Sequence, residues 1–134
     1  MSSPIGLSQE SVHALRHLKD RREVNTVILR STEVQPRALV PAAEANLTHD
    51  ELIAALPADE ARLVVHELSF ATREGTRRNE PLLILWVPSD AGAEEGSYTA
   101  AYAALKEFLA DVHVHLTARR REHLEYGRLV ALAG

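Results

Sequence analysis

Residues 82–87 are six consecutive apolar side chains, Leu-Leu-Ile-Leu-Trp-Val, held between Pro81 and Pro88. No uninterrupted apolar run in the chain is longer, and it is far short of the roughly 18 residues that cross a bilayer. It fits a strand over residues 81–87 buried on both faces, and such a strand needs a sheet with cover on both sides. Residues 62–70 predict its antiparallel neighbour, with Val64, His66, Leu68 and Phe70 on one face. A polar hairpin loop over residues 72–80, centred on Gly75, would join the two.

The rest of the chain supplies that cover. A helix is predicted over residues 8–22, with Ser8 as its N-cap, Leu7 and Val12 as a hydrophobic staple, and Val12, Leu15 and Leu18 on one face. Strands follow over residues 24–32 and 37–40, joined through Gln35-Pro36, and residues 41–46 read as loop. Thr48-His49-Asp50-Glu51 is a capping box flanked by Leu47 and Leu52, and it opens a helix over residues 50–56 that Pro57 stops. Ser97 caps a long helix reaching about residue 109, whose apolar stripe is Tyr98, Ala101, Tyr102, Leu105, Phe108 and Leu109. Residues 112–116 alternate as a strand, so a parallel, right-handed crossover from residues 81–87 is expected. A final helix over residues 119–132, weakened by Gly127, ends the chain. The order α-β-β-α-β-β-α-β-α predicts a single α+β domain over residues 8–134 behind a tail of residues 1–7. Its sheet is mixed, mostly antiparallel with one parallel strand, and helices pack on both faces.

With 134 residues, 46% of them hydrophobic and only 4% aromatic, the chain makes one domain with an aliphatic core. It has no cysteine, which excludes a disulfide scaffold, a thiol nucleophile and cysteine-based metal centres. A net charge of −4 argues against non-specific nucleic-acid binding. No basic region followed by an apolar stretch opens the chain, so a cytoplasmic protein is the simplest expectation. Gly92 and Gly96 precede a helix without the lysine and hydroxyl of a phosphate loop, and no motif assembles a nucleophile with a base. No enzyme and no cofactor is expected. Among seven histidines, His113 and His115 would face one side of a strand and could share a metal, with His123 or His66 as a third ligand. The plainer reading of that pair is a polar outer strand face. Glu94 and Glu95 before the long helix suit its dipole better than they suit a catalytic carboxylate pair. Two basic groups stand out: Arg73, Arg77 and Arg78 in the hairpin loop, and Arg119, Arg120 and Arg121 at the start of the last helix. Three cations there oppose the dipole, which hints at binding, although a solvated charged face is the commoner cause of such runs.

The blocks DELIAALP, ARLVVHELSF, PLLILWVPSD and YTAAYAALKEFL, in that order, resemble the actin-depolymerising-factor homology (ADF/cofilin) family over nearly the whole chain. That family has the same element order. Within it the segment LRHLKDRREVNTVIL, and ungapped spacing from Leu56-Pro57 through PLLIL, look closest to glia maturation factor. The resemblance implies a non-enzymatic, monomeric regulator of the actin cytoskeleton that needs no cofactor. In the glia-maturation-factor branch the partner is the actin-related-protein (Arp) branching complex, whose nucleation is inhibited and whose branches are dismantled. In the cofilin branch the partner is actin, with filament severing or depolymerisation.

Both branches dock the N-terminal tail and the long helix into a cleft of an actin-like subunit. Carried onto this chain, that surface is Ser3, Pro4, Ile5 and Gly6 with Ser97, Tyr98, Ala101, Tyr102, Leu105 and Lys106. Tyr98 and Tyr102 would be its apolar anchors. The two arginine groups would form a filament-side contact. Ser2 and Ser3 match the serine beside the N-terminus that is phosphorylated in cofilins, where added negative charge disfavours docking on an acidic partner. The sequence departs from the cofilin pattern at the long helix. Glu94, Glu95, Gly96 and Ser97 stand where basic residues usually lead it, and Tyr102 stands where its lysine does.

Overall fold

The computed structural model describes residues 6–32 and 37–134, so Ser2, Ser3, Pro4, Ile5 and the Gln35-Pro36 turn lie outside the described residues. Six strands, β1 (Gly6–Leu7), β2 (Thr26–Ser31), β3 (Ala38–Ala45), β4 (Arg62–Ala71), β5 (Arg77–Trp86) and β6 (Val114–Ala118), form one sheet in the order β1-β3-β2-β4-β5-β6. The pairs β1/β3 and β5/β6 are parallel and the others antiparallel. Four helices, α1 (Gln9–Lys19), α2 (His49–Ala55), α3 (Glu95–Phe108) and α4 (Tyr126–Ala133), cover it.

β5 sits inside the sheet and is buried on both faces, as its unbroken apolar run requires. Leu83 and Leu85 point into a core layer shared with Leu15 and Leu18 of α1 and with Tyr98 and Leu105 of α3. Leu82, Ile84 and Trp86 point into a second layer with Leu52 of α2 and Leu129 of α4. α1 and α3 therefore cover one face, and α2 and α4 the other. The described helices include none long and apolar enough to cross a membrane.

Several elements differ from the sequence reading. Gly6 and Leu7, expected in a tail, hydrogen-bond to the start of β3 as a short parallel strand. β3 runs on through Pro41 to Ala45 where a loop was expected. It tolerates the proline because the register steps from Ile28↔Ala43 to Leu29↔Pro41, leaving Ala42 as a bulge, and because β1 covers its other edge only at Ala38 and Leu39. On α1 the inward face is Ser11, Ala14, Leu15 and Leu18, not Val12; the Ser11 hydroxyl is satisfied by the Leu39 carbonyl at 2.7 Å. The hairpin loop is only residues 72–76, closed by Thr72 N–H to the Thr76 carbonyl with Gly75 at φ 84°, so Arg77 and Arg78 belong to β5. A 3-10 turn (Ser89–Glu94) leads directly into α3, so Ser97 lies within the helix and does not cap it. β6 begins at Val114, two residues later than expected, with Val112 packed in the preceding loop. The last helix splits into a 3-10 turn (Arg121–Leu124) and α4.

Candidate functional site

The exposed side of α3 and its flanks form the most developed surface. Tyr98, Ala101, Tyr102 and Leu105 recur at helical spacing and turn into the core, with Tyr98 at 1% and Tyr102 at 7% exposure. They are not the outward anchors that the resemblance implied. The cause is the apolar sheet face beneath them, and Tyr98 is locked further because its hydroxyl accepts the Ser31 N–H at 2.8 Å. Burial also pushes the Tyr102 phenol up from its ordinary pKa. Over its first turns α3 shows only small residues to solvent, Gly96, Thr99, Ala100, Ala103 and Ala104, and in its last turn the exposed Glu107 follows them on the same side.

Two cations border this ridge on the β6 side. The Lys106 ammonium folds back over the Tyr102 ring, 4.3 Å from its centroid. That puts its positive charge one turn back, beside Tyr102. Arg119, just after β6, reaches Glu95 in the first turn of α3 at 2.5 Å. The hydrogen bond to Arg119 holds the Glu95 carboxyl below the usual carboxylate range, and Glu95 raises Arg119 in turn. Between α3 and β6 these side chains line a cleft of about 390 Å³ with Thr99 and Thr117.

On the β1 side the border is apolar. Phe108 was expected in the core and is 47% exposed. Its position falls roughly 80° round the helix from the stripe that starts at Tyr98. It stands between a cleft of about 220 Å³, lined by Leu7, Leu39 and Ala104, and one of about 140 Å³ against Leu15, Arg16 and Lys19 of α1. Gly6 leads the chain into this border, and Arg37 beside it donates to the Ser97 hydroxyl at 3.2 Å. Of the residues that the resemblance assigned to one surface, Gly6 lies at the β1 border, and Ser97 and Lys106 lie on α3. Phe108 and Arg119 border the ridge as well and were not assigned to that surface.

The two arginine groups do not meet. Arg73 and Arg78 line a cleft of about 840 Å³ between the hairpin and α4, with Arg78 5.8 Å over the Phe70 ring and bonded to Glu80 at 3.1 Å. Arg77 is exposed beside them. Arg119, Arg120 and Arg121 stand at the other end of β5, by Trp86, roughly 30 Å along the strand. They do not open α4: Arg119 bonds to Glu95, Arg120 pairs with Glu122 at 3.6 Å, and Arg121, the first residue of the short 3-10 turn, donates to the Leu56 carbonyl at 3.2 Å. The expected clash with the dipole of a long helix does not arise, because α4 starts only at Tyr126. His113 and His115 are exposed, with His113 ahead of β6. Among the described residues no group of three or more His, Asp or Glu side chains is arranged to share a metal, so this pair gains no third ligand.

A mixed six-stranded sheet with two helices on each face defines a small single α+β domain. Residues 4–131 match the family of cofilin/tropomyosin-type actin-binding proteins, and the chain belongs to that family. It is 30% identical to actin-depolymerizing factor 3 of Arabidopsis thaliana over 103 residues, 75% of this chain and 74% of that protein. It is 25% identical to actophorin of Entamoeba histolytica over 129 residues, 95% and 93% of the two chains. In fold it is similar to the cofilin of Streptomyces griseoflavus, with a TM-score of 0.85 at 19% identity over 97% of each chain. It is likewise similar to coactosin from Entamoeba histolytica, with a TM-score of 0.82 at 20% identity over 98% of this chain and 96% of that one.

Proposed function

We propose that this chain is a cytoplasmic, monomeric actin-binding protein of the ADF/cofilin type that seats the exposed ridge of α3 in a cleft of an actin subunit and performs no chemistry of its own. The observation that carries the reading is the ridge itself. Its side chains are small enough for close approach, and Lys106 and Arg119 border it with charge suited to an acidic partner. Ser3, Pro4 and Ile5, which precede Gly6 in the sequence, would complete the contact, and phosphate on Ser2 or Ser3 would weaken it.

Binding to the Arp branching complex, in the manner of glia maturation factors, is the second reading. One observation favours it: the hairpin and Arg119–Arg121 groups stand apart, so the two-part basic filament-side contact is not assembled. Co-sedimentation with filaments, binding to actin monomers and pull-down of the Arp complex test both readings side by side. Actin binding that falls at least tenfold in Ala100→Trp, with an unchanged circular dichroism spectrum, supports the first. Capture of the Arp complex with loss of branches and intact unbranched filaments supports the second. Binding to neither partner overturns both.

A further inference from the structure

We infer that His13 and His17 of α1 form a two-imidazole site for a divalent transition metal, oriented by Glu44 of β3. The two histidines are four residues apart, the spacing that stacks side chains on one side of a helix. Their ring centroids are 4.5 Å apart, edge to face. Two imidazoles that each hold an ion at about 2.1 Å place their ring centres about 5 Å apart, close to the spacing seen, so rotation of the exposed His13 ring admits the ion. The orientation of His17 is already fixed. Its Nδ1 lies 2.5 Å from Glu44 Oε1, and because a carboxylate only accepts, Nδ1 carries the hydrogen.

In the neutral ring the lone pair is then on Nε2, directed away from Glu44. A carboxylate behind a ligating histidine sets its tautomer and raises its basicity. Glu44 is held for this task by β3, whose register places it opposite Val27, so the carboxylate comes from the sheet and the imidazoles from the helix above it. Among the described residues no group of three His, Asp or Glu side chains gathers here, so water completes the coordination, and His13 is exposed to it. Imidazole ligands select zinc, nickel or copper over magnesium and calcium. The site is separate from the docking ridge on α3, and its existence does not depend on what that ridge binds.

The test is calorimetric titration of the full chain with zinc chloride and with nickel chloride, alongside thermal unfolding and the histidine ring signals in NMR. One saturable site is expected, with a raised melting temperature and perturbed His13 and His17 signals, and with no response to magnesium. His13→Asn or His17→Asn should abolish it, Glu44→Gln should weaken it by about 10–100-fold, and a His113→Asn, His115→Asn double variant should bind as the wild type does. Absence of saturable binding up to millimolar metal overturns the site, and so does binding that survives in His13→Asn or disappears in the double variant. An unaltered affinity in Glu44→Gln overturns the orienting role.

Discussion

His66 is buried in the middle of β4, at 3% exposure, where its Nδ1–H donates to the Thr26 hydroxyl at 2.8 Å. The Thr26 proton goes on to Asn25 Oδ1 at 2.8 Å, so the chain of donors and acceptors suits a neutral imidazole. Burial, with a smaller push from His49, lowers the His66 pKa from 6.5 to about 4. The unfolded chain takes up this proton near pH 6.5 and the folded protein only near pH 4. Stability from a neutral His66 is therefore complete above the unfolded value and is lost as pH falls through the interval, by about 3 kcal/mol. Urea unfolding at pH 7, 6, 5 and 4.5 should show this decline, and His66→Gln should flatten it. Equal pH dependence in the two proteins would show that His66 is not its source. The alternation of residues 62–70 located His66 on an inward face. Its hydroxyl partner, 40 residues away, was not legible, because a hydrogen bond between strands leaves no local pattern. The same holds for Tyr98, whose anchor is the Ser31 N–H.

Elements were legible where their determinants are local. The Thr48 side chain accepts the Glu51 N–H at 3.1 Å and the Glu51 carboxylate accepts the Thr48 N–H at 2.9 Å, which is the reciprocal cap that four consecutive residues encode. The bond from the Thr48 backbone N–H, with a smaller contribution from the Thr48 side chain, keeps the Glu51 carboxyl below its usual range. Thr48→Ala should cost about 1 kcal/mol in chemical denaturation, whereas Thr99→Ala, on the exposed side of α3, should cost little. Equal losses would mean that the box is not what starts α2. Elements set by distant partners were misread. Pro41 signals a loop until β2 is in place to pair with a bulged strand. Arg119–Arg121 read as the start of the last long helix, whereas Glu95 and the Leu56 carbonyl, neither of them nearby in sequence, hold Arg119 and Arg121 where the chain makes only a 3-10 turn before α4. α3 begins early because the turn after Pro88 already has helical curvature, a property of backbone path that Ser97 could not reveal.

At the scale of the whole molecule, the sequence patterns specified a two-faced sheet, whereas Gly6, Ser97 and Lys106 were assigned to a surface only through the family resemblance. The positions of the charges on that surface depend on tertiary structure. Lys106 acts one turn back from its place in the sequence, and Arg119 crosses from β6 to the start of α3. A chain with net charge −4 meeting an acidic partner depends on such local cations for encounter and register. Arg119→Glu should therefore lower the affinity for monomeric actin by about tenfold, with a weaker salt dependence than the wild type. Its exposed pairing with Glu95 contributes little to stability, so the fold should persist. Reversal of Arg73 and Arg78, at the far end of β5, should leave monomer affinity within about twofold, since screened charges roughly 30 Å away add little to encounter. Fluorescence titration of labelled monomers at two ionic strengths separates the two faces. If the hairpin variant loses monomer binding and Arg119→Glu keeps it, the docking surface lies between the hairpin and α4, and the ridge of α3 is only the outer side of a core helix.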